Sequence, residues 1–303
     1  MLDAMLDGGI SLGKITEFFG VPGIGKTQIC MQLAVAAHIP ESLGGQGGEV
    51  VYMDTEGSFM IDRLVDMATA TVKHFQELGG PQGSSDDVLQ LSVGDILSGI
   101  HYFRCHDHVE LQATIHLLPS FLKDHSKVKL VIVDSIASPL RHSPDDPSLR
   151  SQLMASLAQT LNRLASQFQL AVVLTNQMTT RVKPSEGTSF LVPALGYSWG
   201  HACSVQVLLH WQEEERCALL YKATSTPSHA CKYRIKLEGI RDTFTISEPV
   251  LSSGEHDANT SEPATSSLRE NQELTTVAAT PDDLSIGGKM SGANPPAKRQ
   301  NVT

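Results

Sequence analysis

The stretch GVPGIGKT, Gly20-Val21-Pro22-Gly23-Ile24-Gly25-Lys26-Thr27, matches GxxxxGK[ST] and stands between an apolar β-like run at 15–19 and a helix-like run at 26–37. A phosphate-binding loop needs that context. A buried strand fixes the loop, glycines let successive backbone N–H groups turn inward without a Cβ in the way, and the helix N-terminus adds partial positive charge. In such a loop Lys26 reaches the β and γ phosphates of a nucleoside triphosphate, and Thr27 offers its hydroxyl to Mg²⁺. A chance match in a chain of this length is about a one-in-a-hundred event, so a plain Gly/Pro surface turn is the weaker reading.

Outward from the loop, apolar runs of four to six residues alternate with longer helix-period segments. That rhythm predicts an α/β fold, a mostly parallel sheet with helices on both faces. The expected strands are 15–19, 50–54, 100–104, 130–134 and 170–176. Leu153, Leu157, Leu161, Leu164 and Phe168 recur at three or four residues, which predicts an amphipathic helix packed on the sheet. After Asn176 a Thr-, Pro- and Gly-rich loop is expected to about Tyr197, followed by antiparallel strands at 205–211, 218–222, 232–237 and 243–246. GGPQGSSDD at 79–87 reads as an exposed loop. The expected organisation is a core over 1–246 and a disordered, polar, acidic tail over 247–303.

With 303 residues, 41% of them hydrophobic, the chain can bury a full core. No apolar run is long enough for a membrane span, and MLDAMLDGG lacks the features of a signal peptide, so an intracellular protein is expected. Five scattered cysteines without a CxxC read as reduced thiols rather than disulfides or a metal site. The net charge of −10 argues against a whole-surface polyanion binder. Beyond Ile246 eight acids face four bases, which leaves −6 on the core, so a nucleic-acid site has to be a local basic feature.

Hydrolysis needs more than a phosphate loop. LVIVD at 130–134 is an apolar strand ending in a carboxylate, and Asp134 there would hold the Mg²⁺ shell at the C-terminal edge of the sheet; capping a following helix is its plainer alternative. Glu56, just past another strand, projects to the same edge as a candidate general base for the attacking water. Gln177 ends a third strand, where an amide can sense the γ-phosphate and signal to the loop behind it. LGGQGGE at 43–49 resembles a transporter ATPase signature but lies far from Asp134, and reads as a plain turn between helix and strand.

Together these residues resemble the RecA-type recombinase family of eukaryotes and archaea over 2–246. LDGGISLGKITEFFG, GKTQICMQLA, DTEGSFMIDRL, LVIVDSIA, TNQMTT and LVPALGYSWGHA are similar to that family in order and spacing. GKTQICMQLAV, HSKVKLVIVDSIA and TNQMTT resemble in particular the C-paralogue branch of the eukaryotic strand-exchange recombinase. The resemblance implies a RecA-like ATPase core and an ATP- and Mg²⁺-dependent DNA-repair factor of homologous recombination. It further implies a weak, DNA-stimulated ATP hydrolase working with other recombinase paralogues on single-stranded or branched DNA, in the nucleus with the cytoplasm also open. Lys26, Thr27, Glu56 and Asp134 match the phosphate, metal and catalytic positions, and Arg63 matches an arginine beside the adenine.

The family's two DNA loops would correspond to 139–150, with Arg141 and Arg150, and to 178–200, with Arg181 and Lys183. Asp145 and Asp146 oppose the first loop. His201 matches a position facing a neighbouring subunit's γ-phosphate; a buried structural histidine is its alternative. Two departures are expected to matter. Beside the family, the helical domain and aromatic anchor that usually precede the core are expected to be missing, with a receiving surface on 102–104 and 109–118 for which core packing within the monomer is the alternative, and Met60 stands where the strand-exchange enzyme has a basic residue. Lys298 and Arg299 make at most a minimal import patch. A competing reading is a nucleotide-stabilised scaffold with negligible turnover.

Overall fold

Ile15–Gly20 (β1) is buried at all six positions, a pattern suited to a strand covered on both faces. The computed structural model describes residues 2–79, 91–141, 146–182, 189–223 and 229–243. In it β1 runs parallel to Ala171–Val182 (β5) on one side and to Val205–Gln212 (β7) on the other. Beyond β5 the parallel sheet continues through Val128–Asp134 (β4), Glu49–Asp54 (β2) and Ile100–Arg104 (β3). Beyond β7 it turns antiparallel through Glu215–Lys222 (β8), Ala230–Lys236 (β9) and Gly239–Asp242 (β10). The strand order is therefore β10-β9-β8-β7-β1-β5-β4-β2-β3.

Alternation along β2 shows why both faces are covered. Val50 and Tyr52 join one core with Ile132, Val173 and Leu209, while Val51 and Met53 join the other with Val131, Val133 and Leu174. Lys26–Ala36 (α2) seals the first face through Ile29, Cys30 and Ala34. His108–Asp124 (α5) and Pro147–Phe168 (α7) seal the second: Leu157, Leu161 and Leu164 are buried there, with Leu153 and Phe168 partly buried against them, as their spacing predicts. Ile61–Gly79 (α3) packs Leu64, Met67 and Ala68 on Met31 and Val35 of α2. Shorter helices are Leu2–Met5 (α1), Val93–Ser98 (α4), Ala137–Arg141 (α6) and Gly196–Ala202 (α8).

One expectation is corrected. The segment after Asn176 is not a plain loop: β5 continues to Val182 and pairs antiparallel with Ser189–Pro193 (β6), matching Thr180 to Leu191 and Val182 to Ser189. Thr- and Val-rich flanks favour extended pairing even though Pro and Gly lie between them. Among the described residues the last antiparallel strand is Gly239–Asp242, where the turn after Lys236 brings Ile240 back beside Ile235. Residues 80–87 of the expected loop, 244–246 and the expected tail lie outside the described residues. LGGQGGE falls on the connection between α2 and β2, as a plain turn requires. No described helix is long and apolar enough to cross a membrane.

All five cysteines are buried and free. Burial lifts the Cys231 thiol to about 11 and that of Cys203 higher still, so little thiolate forms at neutral pH. With a disulfide-exchange reagent at pH 8, the folded chain is expected to release its thiols far more slowly than an exposed cysteine does. Unfolding in guanidinium should expose all five at once. A thiol titrating at full rate in the folded chain contradicts this packing.

Candidate nucleotide and nucleic-acid site

Gly20 ends β1 where a Cβ would lie 2.4 Å from the carbonyl oxygen of Leu209 on β7, so the strand can leave the sheet there only as glycine. Gly25, at φ 114°, hands the chain into α2 and makes no side-chain cap, which leaves the first N–H groups of the helix directed at whatever the loop encloses. Ile24 is fully buried and Tyr233 Oη donates to its carbonyl at 2.9 Å, anchoring the loop from β9. Lys26 Nζ donates to the carbonyls of Gly20 at 2.9 Å and Val21 at 3.1 Å. Burial lowers the Lys26 pKa, and the charges of Glu56 and Asp134 oppose that shift.

Asp134, 2% exposed, takes hydrogen bonds from Thr175 Oγ1 at 2.5 Å and from Tyr52 Oη at 3.0 Å. Burial raises its pKa; bonds from Thr175, Thr27 and Tyr52 hold it down, and the like charge of Glu56 adds to the rise. A carboxylate, a threonine hydroxyl and a lysine below a glycine-lined helix N-terminus are hard oxygen donors and a cation in one place, a set that fits Mg²⁺ and a triphosphate.

Glu56 is held by a neighbour the motifs do not mention. Oδ1 of Asp54, the last residue of β2, accepts from the backbone N–H groups of Glu56 (3.0 Å), Gly57 (2.7 Å) and Ser58 (3.3 Å), and Oδ2 accepts from that of Phe59 (3.3 Å). Tyr102 Oη donates to the same carboxylate at 3.1 Å, and Arg104 Nη1 lies 3.7 Å from it. Thr55 staples the neighbouring strand end: its Oγ1 donates to the Ser135 carbonyl at 2.7 Å and accepts from the Ser135 N–H at 2.9 Å. Glu56 Oε1 then accepts from Ser135 Oγ at 2.5 Å and from Gln177 Nε2 at 2.6 Å. Gln177 Oε1 in turn accepts from Arg141 Nη1 at 2.5 Å.

Arg141, Arg150 and Arg181 line one cleft of about 310 Å³, together with Leu140, Met154 and Thr179. Lys183 and Asp145 lie outside the described residues. Asp146 does not simply oppose the loop: its carboxylate accepts from the Ser148 N–H at 2.7 Å and caps α7. Arg63 is a brace as the structure shows it, its Nε donating to Gln28 of α2 at 2.7 Å and its Nη atoms to the carbonyls of Lys236 and Leu237. His201 is exposed on α8, which removes the buried alternative. On the edge of the sheet Tyr102, Val109 and Leu117 are exposed, while Leu111, Ile115 and Leu118 of α5 belong to the core. Met60 is exposed.

One polar group has no place in any motif. Glu17, in the middle of β1, is fully buried and accepts from Asn176 Nδ2 at 2.8 Å, Trp199 Nε1 at 3.0 Å and Gln206 Nε2 at 2.5 Å. It thereby ties β5, α8 and β7 to the strand that carries the phosphate loop. Its signal in the sequence is only an acid inside ITEFFG, an apolar run.

A Rad51 family model matches residues 1–77 and 84–243. Among curated proteins the chain is similar to DNA repair protein RAD51 homolog 3 of Cricetulus griseus, 50% identical over 244 residues that cover 80% of this chain and 66% of that protein. The protein of the same name from Dictyostelium discoideum is 41% identical over 250 residues, 82% of this chain and 66% of its own length. DNA repair protein RAD51 homolog 2 of Mus musculus is 34% identical over 268 residues, 79% of this chain and 72% of its own length. The chain thus spans just under two thirds of the first two relatives.

Burial raises the Glu17 pKa despite its three donors, so the folded chain binds that proton more tightly than the unfolded chain does. The Glu17 contribution to stability therefore falls as pH rises from the ordinary carboxylate range through the raised value. Glu17→Gln keeps the shape, and a turned Gln206 amide can supply the acceptor it then needs. Urea unfolding across mildly acidic to neutral pH should show a flatter stability profile for Glu17→Gln than for the native chain. Glu17→Ala, which orphans three buried donors, should cost about 3 kcal/mol or more. An unchanged pH slope in Glu17→Gln would assign the dependence elsewhere.

Proposed function

The chain belongs to the Rad51 family, and from that premise we propose that it is an ATP-dependent DNA-repair factor of homologous recombination. On this reading it is a weak ATP hydrolase stimulated by DNA, and it works in the nucleus in complexes with other recombinase paralogues. The observation that carries the reading is the convergence of Lys26, Asp134 and Glu56 at one sheet edge, joined through Gln177 to a cleft with three arginines. Four backbone N–H groups donated to Asp54 fix the loop that carries Glu56, which sets that carboxylate beside Asp134, an arrangement that suits a base more than a pure binding site.

In this mechanism the N–H groups of residues 20–27 cradle the phosphates, and Lys26 gives up the Gly20 and Val21 carbonyls for phosphate oxygens. Thr27 and Asp134, already joined by a hydrogen bond, would hold Mg²⁺, which would neutralise charge on the phosphates. Glu56 takes the proton from the attacking water. Gln177 reports the γ-phosphate to the β5–β6 hairpin that continues its strand. Arg141, Arg150 and Arg181, with Lys183 of the same loop, meet the phosphates of single-stranded or branched DNA. Arg63 lies beside α2, where its guanidinium can also serve the adenine side.

A scaffold reading, in which nucleotide serves assembly and turnover is negligible, draws support from the double hydrogen bonding of Glu56 Oε1 and from the net charge of −10. Single-turnover hydrolysis of Mg²⁺-ATP separates the two. The native chain should be accelerated by single-stranded DNA, Glu56→Gln should lose about a hundredfold or more, and Lys26→Ala should lose ATP binding while keeping its circular dichroism. No DNA stimulation together with no loss in Glu56→Gln leaves the scaffold reading standing.

A further inference from the structure

Arg141 stands at the meeting of two sites. It ends α6 and lines the arginine cleft, yet its Nη1 points the other way, into Gln177 Oε1 at 2.5 Å. Gln177 passes the contact on, its Nε2 donating to Glu56 Oε1 at 2.6 Å, where Ser135 Oγ is already bound at 2.5 Å. A cation pulling on the amide oxygen polarises the amide N–H, so the bond to the carboxylate is strengthened along the chain of contacts. Glu56 is left with Oε1 occupied by two donors and its carboxyl plane fixed toward Ser135 and Gln177. That oxygen cannot then receive a proton from water.

The acceptor that holds Arg141 is neutral, and a charge-assisted guanidinium–phosphate pair, often bidentate, is about twice as strong as a bond to a neutral group. Arg150 and Arg181 line the same cleft and draw a polyanion toward it. Resting on the ATPase reading above, we propose that Arg141 is a positioning residue that clamps Gln177 against Glu56, and that a backbone phosphate of single-stranded DNA in the cleft takes Arg141 away and releases the clamp. DNA stimulation is then relief of a restraint, and Arg141 counts for turnover as well as for affinity.

The test uses the full chain, labelled with ¹⁵N. The side-chain amide signal of Gln177, identified by its loss in Gln177→Glu, is followed as oligo-dT is added. Arg141→Ala should move that signal without DNA, in the direction that saturating oligo-dT moves it in the native chain. In single-turnover hydrolysis without DNA, Arg141→Ala should be faster by roughly two- to tenfold, the factor that one hydrogen bond is worth, and its ratio of rates with and without DNA should fall toward one. Arg141→Lys, which keeps a charge and a donor, should fall between. A Gln177 signal that Arg141→Ala leaves in place, one that oligo-dT leaves in place or moves the opposite way, or a lower DNA-free rate in Arg141→Ala overturns the clamp. The two readings fail separately: no DNA stimulation together with no loss in Glu56→Gln refutes the ATPase reading, and stimulation with an unmoved Gln177 refutes the clamp alone.

Discussion

Parallel pairing in one register sets Gly20 beside Gln177, and Asp54 between Asp134 and Arg104. The chemistry of the site depends on that alignment, because side chains on a strand alternate faces and a slip of one residue sends every one of them to the other side. Two buried, alternating faces prevent the slip: Val50 and Tyr52 fit only the α2 side, Val51 and Met53 only the α5 and α7 side. The core thus acts on the site indirectly, by fixing where each strand ends. At those ends the backbone leaves the sheet, and the carboxylates and amides that hydrophobic packing excludes from the interior can gather.

Gathering carboxylates has a cost that the surrounding donors offset. Asp54 takes four backbone N–H groups, a tyrosine hydroxyl and the nearby charge of Arg104, which makes it an organiser of the Glu56 loop rather than a reactant. Asp134 takes hydroxyls only, and burial leaves it the acid with the stronger need for a cation. Glu17 takes three amide and indole N–H groups, with no ion pair among its hydrogen bonds. The three acids therefore divide along physical lines into a structural anchor, a hydroxyl-bound acid proposed as the cation ligand, and an interior tie, although all sit at or within apolar strands.

What the sequence revealed follows from the same distinction. Apolar runs and the GxxxxGK[ST] spacing are local signals, so β1 to β4, the first half of β5, the glycine-rich turn before α2 and the strand end at Asp134 are legible at once. Asp54 looks like an ordinary strand end and Ser135 like a residue after a motif, because Asp54 matters through the backbone of the loop it gathers and Ser135 through contacts across strands with Thr55 and Glu56. Asp146 reads as a loop charge, and its second role as the cap of α7 is visible only in the fold. The β5–β6 hairpin was hidden because Pro184 and Gly187 punctuate it, and punctuation outweighed the extended preference of the residues on either side. Pairing partners, unlike period and motif, are not written in any one segment.

Lys26 and Arg141 obey a common rule. Each is a cation that donates to neutral oxygens of its own chain, the Gly20 and Val21 carbonyls in one case and the Gln177 amide in the other. A neutral acceptor satisfies the donors without neutralising the charge, so each cation remains the better partner for a phosphate. Glu56 lies between them, attracting Lys26 by its charge and joined to Arg141 through one amide. On the proposed reading, phosphates arriving on the two sides would draw both cations away from this carboxylate, while Ser135 keeps its hydrogen bond to it. On that reading a base placed that way responds to nucleotide and to nucleic acid together, which is what distinguishes a coupled site from two sites that happen to share a sheet.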